Sequence, residues 1–219
     1  MITKAEKTGI REYNKEKKSD LAMKLLLSLY AILMIIIARY AILTNATTWL
    51  WDAGVTFTIV FVVYLSRNKL RLNAWLYAMF LFSLALHTLG VYGFYTKQFF
   101  GLDFDHYTHF FASFAVSMIL CNWLLHYNNL KSKFATVCFI AILMTIGISA
   151  IHETIEFLGY TFLNADGANL FFPGNTAIPS LTAADIGDSG TYSNTMIDII
   201  YNMVGAVAGC VVIGMNKLF

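Results

Sequence analysis

The stretch that decides the fold is Phe134–Tyr160, which reads FATVCFIAILMTIGISAIHETIEFLGY. Residues 134–151 carry no charge at all. A helix needs about 20 apolar residues to cross the hydrocarbon core of a bilayer, and this run is near that length. It ends on His152, Glu153 and Glu156, which are costly to place inside a membrane. The stretch therefore predicts a transmembrane helix with ionisable groups near one end.

The rest of the chain has the same composition. Of its 219 residues, 58% are hydrophobic and 13% are charged, and the mean hydropathy is +0.63. A soluble domain averages about 25% charged residues. The net charge of +2 is not gathered into a basic stripe, so we expect no nucleic-acid partner. The cysteines lack the spacing of a metal or redox motif, and we interpret them as packing residues. They are Cys121, Cys138 and Cys210.

Six apolar segments predict an all-α membrane bundle of about six transmembrane helices. Residues 1–20 are expected to form a charged cytoplasmic tail, and residues 21–219 a single transmembrane domain. The predicted spans are Leu21–Leu43, Thr47–Leu65, Ala74–Tyr95, Thr108–Tyr127, Phe134–Tyr160 and Asn194–Met215.

The basic residues predict the orientation. If the spans alternate, 13 of the 15 lysines and arginines fall on one side, and only Arg39 and Lys97 fall on the other. The positive-inside rule then places both termini in the cytoplasm of a multi-pass cell-membrane protein. An odd number of spans would break this alternation. The acids beyond the tail fall toward the opposite, outer side.

The segment 161–193 is predicted to be a long extracytoplasmic loop. It holds both prolines of the chain, Pro173 and Pro179, and four glycines. Loops longer than about 12–15 residues are usually functional or disordered. Two interpretations stay open, a lid over an outer site and an exterior loop without a role.

Ionisable residues in three spans are predicted to share one depth in the outer leaflet. Spans four and six enter the membrane from outside and span five returns to that side, so the outer ends of all three meet at one level. Residues four apart also share a helix face. The residues concerned are Asp105 and His109 in span four, His152, Glu153 and Glu156 in span five, and Asp198 in span six.

Carboxylates and imidazoles from facing helices are how helix bundles bind metals. We expect a divalent metal here, with Zn, Mn or Fe suited to a mixed set and Mg or Ca to an all-oxygen set. The sequence HETIE is similar to the HExxH zinc helix, which makes Glu153 the predicted general base. Asp105 would orient a histidine ligand. The predicted metal ligands are His109, His152, Glu156 and Asp198.

Several of these residues also have structural interpretations. Asp105 could stabilise the start of its helix, where the dipole favours an acid. Asp198 and Asn202 could hold two helices together. Gly205 and Gly209 have the spacing of close helix packing, and we assign them no chemistry.

Two further polar residues lie in the first three spans. Arg39 is the predicted substrate-binding residue, because it could engage an anionic head group; it could equally snorkel to the interface or pair with Asp52. His87 lies deeper in its span, and a hydrogen-bonded core histidine is the favoured interpretation.

The motifs resemble those of the VanZ-like membrane proteins and the related YjdF-like inner-membrane family. Three patterns carry the resemblance: D-x-x-x-H at 105–109, E-x-x-E at 153–156 and D-x-x-x-N-x-x-G at 198–205. It covers roughly residues 75–215. The resemblance implies a shared polar site facing the outer leaflet. Some VanZ members are linked to glycopeptide antibiotic resistance, and the resemblance implies no particular reaction for this chain.

Three functions are compatible with these patterns. The favoured one is a metal-binding membrane protein, acting as a hydrolase or transferase on a lipid or lipid-linked substrate. The second is a transporter or a proton or ion pathway. The third is an accessory subunit of a larger membrane complex, whose aromatic surface would contact membrane-protein partners.

Overall fold

The computed structural model describes residues 4–45, 48–127, 133–163 and 183–218, and the structural statements below concern these residues. They form six α-helices and one short β-hairpin. The helices are α1 (Lys4–Leu43), α2 (Thr48–Leu65), α3 (Ala74–Val91), α4 (Phe104–Tyr127), α5 (Phe134–Leu163) and α6 (Ala183–Leu218). The hairpin strands are β1 (Gln98–Phe99) and β2 (Leu102–Asp103).

Five of the helices are long and apolar enough to cross a bilayer, namely α1, α3, α4, α5 and α6. The prediction of an all-α membrane bundle is therefore confirmed. The apolar part of α2, Leu50–Leu65, is shorter. At 1.5 Å per residue it covers about 24 Å, below the about 30 Å of a typical hydrocarbon core. Its assignment as a sixth span stays a prediction.

Helices α1 and α3 run parallel, because their contacts keep the same order along both. Near the start of each, the backbone N–H of Ala74 donates to Ser19 Oγ at 3.0 Å. Near the end of each, the hydroxyl of Tyr92 donates to the carbonyl of Ile37 at 3.0 Å.

Helix α2 runs antiparallel to both. Arg67, just beyond its end, donates from Nε to Asp20 Oδ1 of α1 at 3.1 Å. Asp52, in its first turns, contacts His87 late in α3. Although α2 is short, it extends along the bundle from the position of Asp20 on α1 to that of His87 on α3.

Helices α4 and α6 run parallel and pack closely through two glycines. A Cβ atom at Gly205 would meet the backbone carbonyl of Phe110, and one at Gly209 would meet the carbonyl of Phe114. The predicted role of Gly205 and Gly209 in close helix packing is confirmed. The glycines bring the two backbones together. As a result, polar side chains one turn earlier on α6 contact side chains of α4.

Helix α5 runs antiparallel to α4 and α6. Late in α5, Glu153 approaches His109 near the start of α4. Early in α5, the carbonyl of Cys138 accepts from the thiol of Cys210 late in α6 at 3.8 Å.

The bundle therefore has two chemically different ends. At the basic end, α2 finishes and α3 begins around Arg67, Lys69 and Arg71, and α4 reaches the same level because Asn122 Nδ2 donates to the carbonyl of Arg71 at 2.9 Å. The apolar part of α1 begins and α6 ends here, so both chain ends approach this end. At the opposite end, which we call the site end, the ionisable residues of α4, α5 and α6 meet. The side of the membrane that each end faces stays a prediction of the positive-inside rule.

The connection from α3 to α4 turns sharply and was not predicted in detail. Gly93 takes a left-handed backbone (φ 105°), which ends the helix after Val91 and four residues before the predicted limit at Tyr95. In the hairpin that follows, Phe100 and Gly101 both have positive φ (52° and 78°), as a two-residue type I′ turn requires.

Four helices extend further than predicted, α4 and α5 by four and three residues and α1 and α6 by more than ten. The backbone of α1 is helical from Lys4, so most of the predicted charged tail continues the first span as helix. Glutamate and lysine are good helix formers, which favours this continuation. Helix α6 begins at Ala183, so residues 183–193 of the predicted loop are helical. The predicted lid otherwise falls on residues 164–182, which lie outside the described residues.

Candidate metal centre at the site end

His109 lies at the centre of a polar cluster formed by α4, α5 and α6. Its Nε2 is 3.5 Å from Asp105 Oδ1 and 3.8 Å from Asp198 Oδ1. Its Nδ1 points the other way and is 3.4 Å from Glu153 Oε1. One imidazole therefore approaches a carboxylate from each of the three helices that the sequence predicted to converge.

The cluster contains two overlapping groups of potential metal ligands. In each group, ligand atoms from three residues all lie within 4.8 Å of one another. One group is Asp105, His109 and Asp198, and the other is His109, Glu153 and Glu156. Carboxylate oxygens with an imidazole nitrogen are a ligand set suited to Zn, Mn or Fe.

Asp105 lies in the first turn of α4, where the helix dipole favours a negative charge. The hydroxyl of Thr108 donates to the Asp105 backbone carbonyl at 2.7 Å and lies 3.3 Å from its Oδ1. The helix start and the cluster therefore both stabilise the same carboxylate, so the structural and the metal-site interpretations of Asp105 are compatible.

A hydrogen-bonded pair fixes the inner side of His109. Asn202 Nδ2 on α6 lies 3.1 Å from His109 Nδ1. The hydroxyl of Ser113, one turn after His109 on α4, donates to Asn202 Oδ1 at 2.7 Å. Asn202 thus joins α6 to α4, as the helix-contact interpretation predicted, and it also holds the orientation of the imidazole.

His152 and Glu156 form the outer part of the cluster on α5. Their Nε2 and Oε1 atoms are 3.4 Å apart, as expected for residues four apart on a helix. The rings of His152 and His109 have centroids 6.1 Å apart. Glu156 belongs to the second group of potential ligands, whereas His152 belongs to neither group and lies behind Glu156.

Burial makes this concentration of acids expensive without a counter-charge. The side chains of Glu153 and Asp198 are 4% and 1% exposed, and those of Asp105 and Glu156 keep 30% and 21%. Among the described residues, no lysine or arginine lies within ion-pair distance of Asp105, Glu153 or Glu156. Glu153 Oε1 is buried and makes no hydrogen bond to a described residue. Buried carboxylates need a cation or protons to balance them.

Arg39 does not join this cluster. It lies at the same end of the bundle, on the exposed side of α1, and makes no ion pair with a described residue. The alternative in which Arg39 pairs with Asp52 is wrong, because Asp52 lies against His87 instead. Its predicted role in binding a head group stays a prediction.

Next to the cluster, three polar side chains form a hydrogen-bonded chain that was not predicted. His87 Nε2 lies 2.9 Å from Asp52 Oδ1, and His87 Nδ1 lies 2.8 Å from the hydroxyl of Tyr95. The favoured interpretation of His87 as a hydrogen-bonded core histidine is confirmed. The partners lie 35 residues before and 8 residues after His87, and no sequence motif links them.

Tyr95 connects this chain to the metal-ligand cluster. Burial, followed by the charges of Asp105 and Glu156, raises the pKa of Tyr95 well above its ordinary value. The hydroxyl therefore stays protonated and donates to His87 Nδ1, which leaves the Nε2–H of His87 to donate to Asp52. Gly90 makes room for the ring, since a Cβ atom at that position would collide with Tyr95.

His106 is another residue that the sequence did not single out. Its ring stacks on Tyr201 of α6, with centroids 4.6 Å apart and planes 10° from parallel. Its Nδ1 is buried and makes no hydrogen bond to a described residue. In the sequence, the one feature that could have indicated a role for His106 is its position next to Asp105. That feature alone does not distinguish it from a packing residue.

The fold and the cluster define a class: an all-α, multi-pass membrane protein with a buried carboxylate–histidine site. A family model places it more narrowly. The chain belongs to the predicted membrane protein family DUF2238, whose model matches residues 23–217. Neither the search of characterised proteins nor the search of solved structures gave a match.

Proposed function

We propose that this chain is a membrane-embedded metal-binding protein whose metal centre lies at the site end of the bundle. The observation that carries the proposal is the convergence of four carboxylates and one imidazole from α4, α5 and α6. They form two overlapping groups of three residues, and within each group the ligand atoms lie within 4.8 Å of one another. A divalent cation would compensate the buried negative charge of this cluster. The resemblance to VanZ-like and YjdF-like proteins is compatible with such a site.

The orientation of His109 supports a specific ligand set. Its Nε2 faces Asp105 and Asp198, so these three residues would bind the ion. Its Nδ1 lies 3.4 Å from Glu153 Oε1 and accepts from Asn202 Nδ2; binding of the ion at Nε2 would place the ring proton on Nδ1, where the Glu153 carboxylate would accept it in place of the bond from Asn202. This assignment makes Asp105 a ligand and gives Glu153 the orienting role that the sequence predicted for Asp105, while the general-base role predicted for Glu153 stays a prediction.

The residues of α5 complete the proposed centre. Glu156 would supply the fourth ligand, as the sequence predicted, and it shares a group of ligand atoms with His109. His152 was predicted as a ligand; because its Nε2 lies 3.4 Å from Glu156 Oε1, we assign it the role of holding that carboxylate. Zn, Mn or Fe suits this mixed set better than Mg or Ca.

The reaction that we propose is hydrolysis or group transfer on a lipid or lipid-linked substrate. Asp105, His152 and Glu156 keep 20–30% of their side-chain surface exposed, so the cluster has an open side at one end of an apolar bundle. A bound divalent metal would supply Lewis-acid chemistry there.

Transport is less well supported by the described interior. Toward the basic end from Asn202, the buried residues of α4 and α6 become small or apolar, and no charged residue continues the path among them. They include Ser117, Met118, Cys121, Ala206, Cys210 and Ile213. A proton or ion pathway would need polar groups through this region.

Metal analysis of purified protein tests the proposal. We expect about one equivalent of a divalent transition metal in the wild-type protein and a loss of stoichiometric metal in Glu156→Ala and Asp198→Asn. Asp103→Asn is the matched control, because that acid is exposed in the hairpin and bonds only locally to Gln98. Absence of metal from wild-type protein prepared without chelators, and after incubation with Zn, Mn or Fe, would contradict the proposal.

An activity assay tests the reaction class separately. Metal-loaded protein in vesicles of its native lipids should release water-soluble products from labelled lipid or lipid-linked substrates. The Asp198→Asn variant should release none above the background of empty vesicles. Equal product release by the variant would contradict the assignment of this centre to the reaction.

A further inference from the structure

The three cysteines of the chain meet in the interior, far from the metal centre proposed above. Cys121 on α4, Cys138 on α5 and Cys210 on α6 each offer one sulfur atom, and the three atoms lie within 4.8 Å of one another. Cys121 and Cys210 are buried, and Cys138 is partly exposed. The chain has no other cysteine. The interpretation of the cysteines as packing residues did not predict this convergence.

The fold explains why the sulfurs come together. Gly209, the residue before Cys210, lets α6 approach the backbone of α4 at Phe114 and the hydroxyl of Ser117. This close approach carries Cys210 toward Cys121, one turn further along α4 than Ser117. Cys138 enters from α5, where its carbonyl accepts from the Cys210 thiol at 3.8 Å.

We propose that Cys121, Cys138 and Cys210 form a binding site for a soft monovalent metal ion, Cu(I), near the basic end of the bundle. Thiolates select Cu(I), Zn and iron–sulfur clusters over hard cations. Three sulfurs in a plane around one ion, each at about 2.3 Å, lie about 4 Å apart, which the sulfur atoms here, all within 4.8 Å of one another, can accommodate. No described histidine, aspartate or glutamate joins the group, and three ligands suit trigonal Cu(I) better than tetrahedral Zn(II).

The proton and charge balance closes for a monovalent ion. A Cu⁺ ion that replaces two thiol protons and binds the third sulfur as a neutral thiol leaves one negative charge on the complex. The two protons pass to solvent. Zn(II) bound by three thiolates would leave the same charge, but it would lack a fourth ligand in this group.

The position of the cysteine cluster near one end of the bundle suggests how the ion would reach it. Cys138 is four residues after Phe134, the first residue of α5, which is about 6 Å along the helix axis. An ion would therefore enter from the basic end past Cys138. The carboxylate–histidine centre lies at the other end of the same three helices, so the proposed copper site does not rest on it.

Competition for Cu(I) tests this site in the full-length protein in detergent, reduced and free of oxygen. With bicinchoninate as the competing Cu(I) probe, the wild-type protein should withdraw one Cu(I) per chain. Cys121→Ser, Cys138→Ser and Cys210→Ser should each bind Cu(I) at least 100-fold more weakly. His109→Gln is the matched control for binding at the other centre and should bind Cu(I) like the wild-type protein.

X-ray absorption of the copper-loaded protein should show three sulfur neighbours at about 2.3 Å. A first shell of nitrogen or oxygen would overturn the proposal, as would equal Cu(I) binding by wild-type protein and the triple serine variant. Preference of the cysteines for Zn(II) over Cu(I) would also overturn it.

A second measurement uses only the wild-type chain and avoids any folding defect of the variants. Alkylation of Cys138 by a maleimide, followed by mass spectrometry, should slow at least tenfold after addition of one equivalent of Cu(I). Unchanged alkylation at saturating Cu(I) would overturn the proposal.

Discussion

His109 Nδ1 lies 3.4 Å from Glu153 Oε1, across the contact between α4 and α5. In the proposed metal centre, Nδ1 is the nitrogen on the Glu153 side, and the opposite nitrogen, Nε2, faces Asp105 and Asp198. A carboxylate behind a histidine ligand fixes the tautomer and the ring orientation. The account of the metal centre depends on this division of the imidazole into an orienting side and a binding side.

Glu153→Gln tests that division. The amide keeps the shape of the side chain but removes the charge that would orient His109, so metal affinity should fall by about 10–100-fold. Asp198→Asn removes a proposed ligand and should cost more affinity than Glu153→Gln does. Competition titrations with a zinc chelator on both variants measure the difference. A larger loss for Glu153→Gln than for Asp198→Asn would reverse the two roles.

Gly205→Ala tests the close packing of α4 and α6. The added Cβ would meet the backbone carbonyl of Phe110, so the helices must separate, and overpacking of this kind costs about 1–3 kcal/mol. Gly147→Ala on α5 is the control, because a Cβ at that position meets nothing within 4 Å. Thermal unfolding in detergent should show a lower Tm for Gly205→Ala and no decrease for Gly147→Ala. Equal Tm values would show that the glycine contact does not hold the two helices.

Asp52→Ala tests the polar chain beside the cluster. Removing the carboxylate leaves the Nε2–H of His87 buried without its acceptor, which costs about 1–3 kcal/mol in the free energy of unfolding. Asp52→Asn keeps an acceptor and should cost less. Thr58→Ala is the control on α2, since that exposed hydroxyl donates only to the carbonyl of Gly54. If the Asp52→Ala and Thr58→Ala variants unfold at the same temperature, the hydrogen bond between Asp52 and His87 does not stabilise the folded protein.

The number of spans and the orientation can be tested with single cysteines in a cysteine-free background. Residues in the tail, at Lys69 and at Lys217 should react with a membrane-impermeant maleimide only after the membrane is opened, as the positive-inside rule predicts. A cysteine at Lys97 should react in intact cells. If the tail and Lys217 react on opposite sides, the number of spans is odd and the prediction of six spans is wrong.

The general architecture was predictable because burial in lipid leaves long apolar runs in the sequence. Convergence of the ionisable residues was also predictable, since antiparallel spans place Asp105, Glu156 and Asp198 at one level whatever the details of packing. Gly205 and Gly209 gave a further correct signal, because only small residues allow two backbones to approach this closely.

The parts that could not be predicted depend on which helix faces which. Asp52 and His87 lie 35 residues apart, and only the packing of α2 on α3 brings them together. The same holds for the cysteine cluster, whose members come from three helices. The sequence pattern of one span predicts how deep a residue lies in the membrane and which face of the helix it occupies. Its contacts with residues of other spans depend on how each helix is rotated about its axis, which the pattern does not give.

The most direct test of the proposed metal centre is an anomalous diffraction map at the absorption edge of the metal, from crystals of metal-saturated protein. We expect one strong peak about 2.1 Å from His109 Nε2, with Asp105 and Asp198 oxygens at about 2.0–2.2 Å. A map with no peak between α4, α5 and α6, or with the ion bound only at the cysteines, would contradict it.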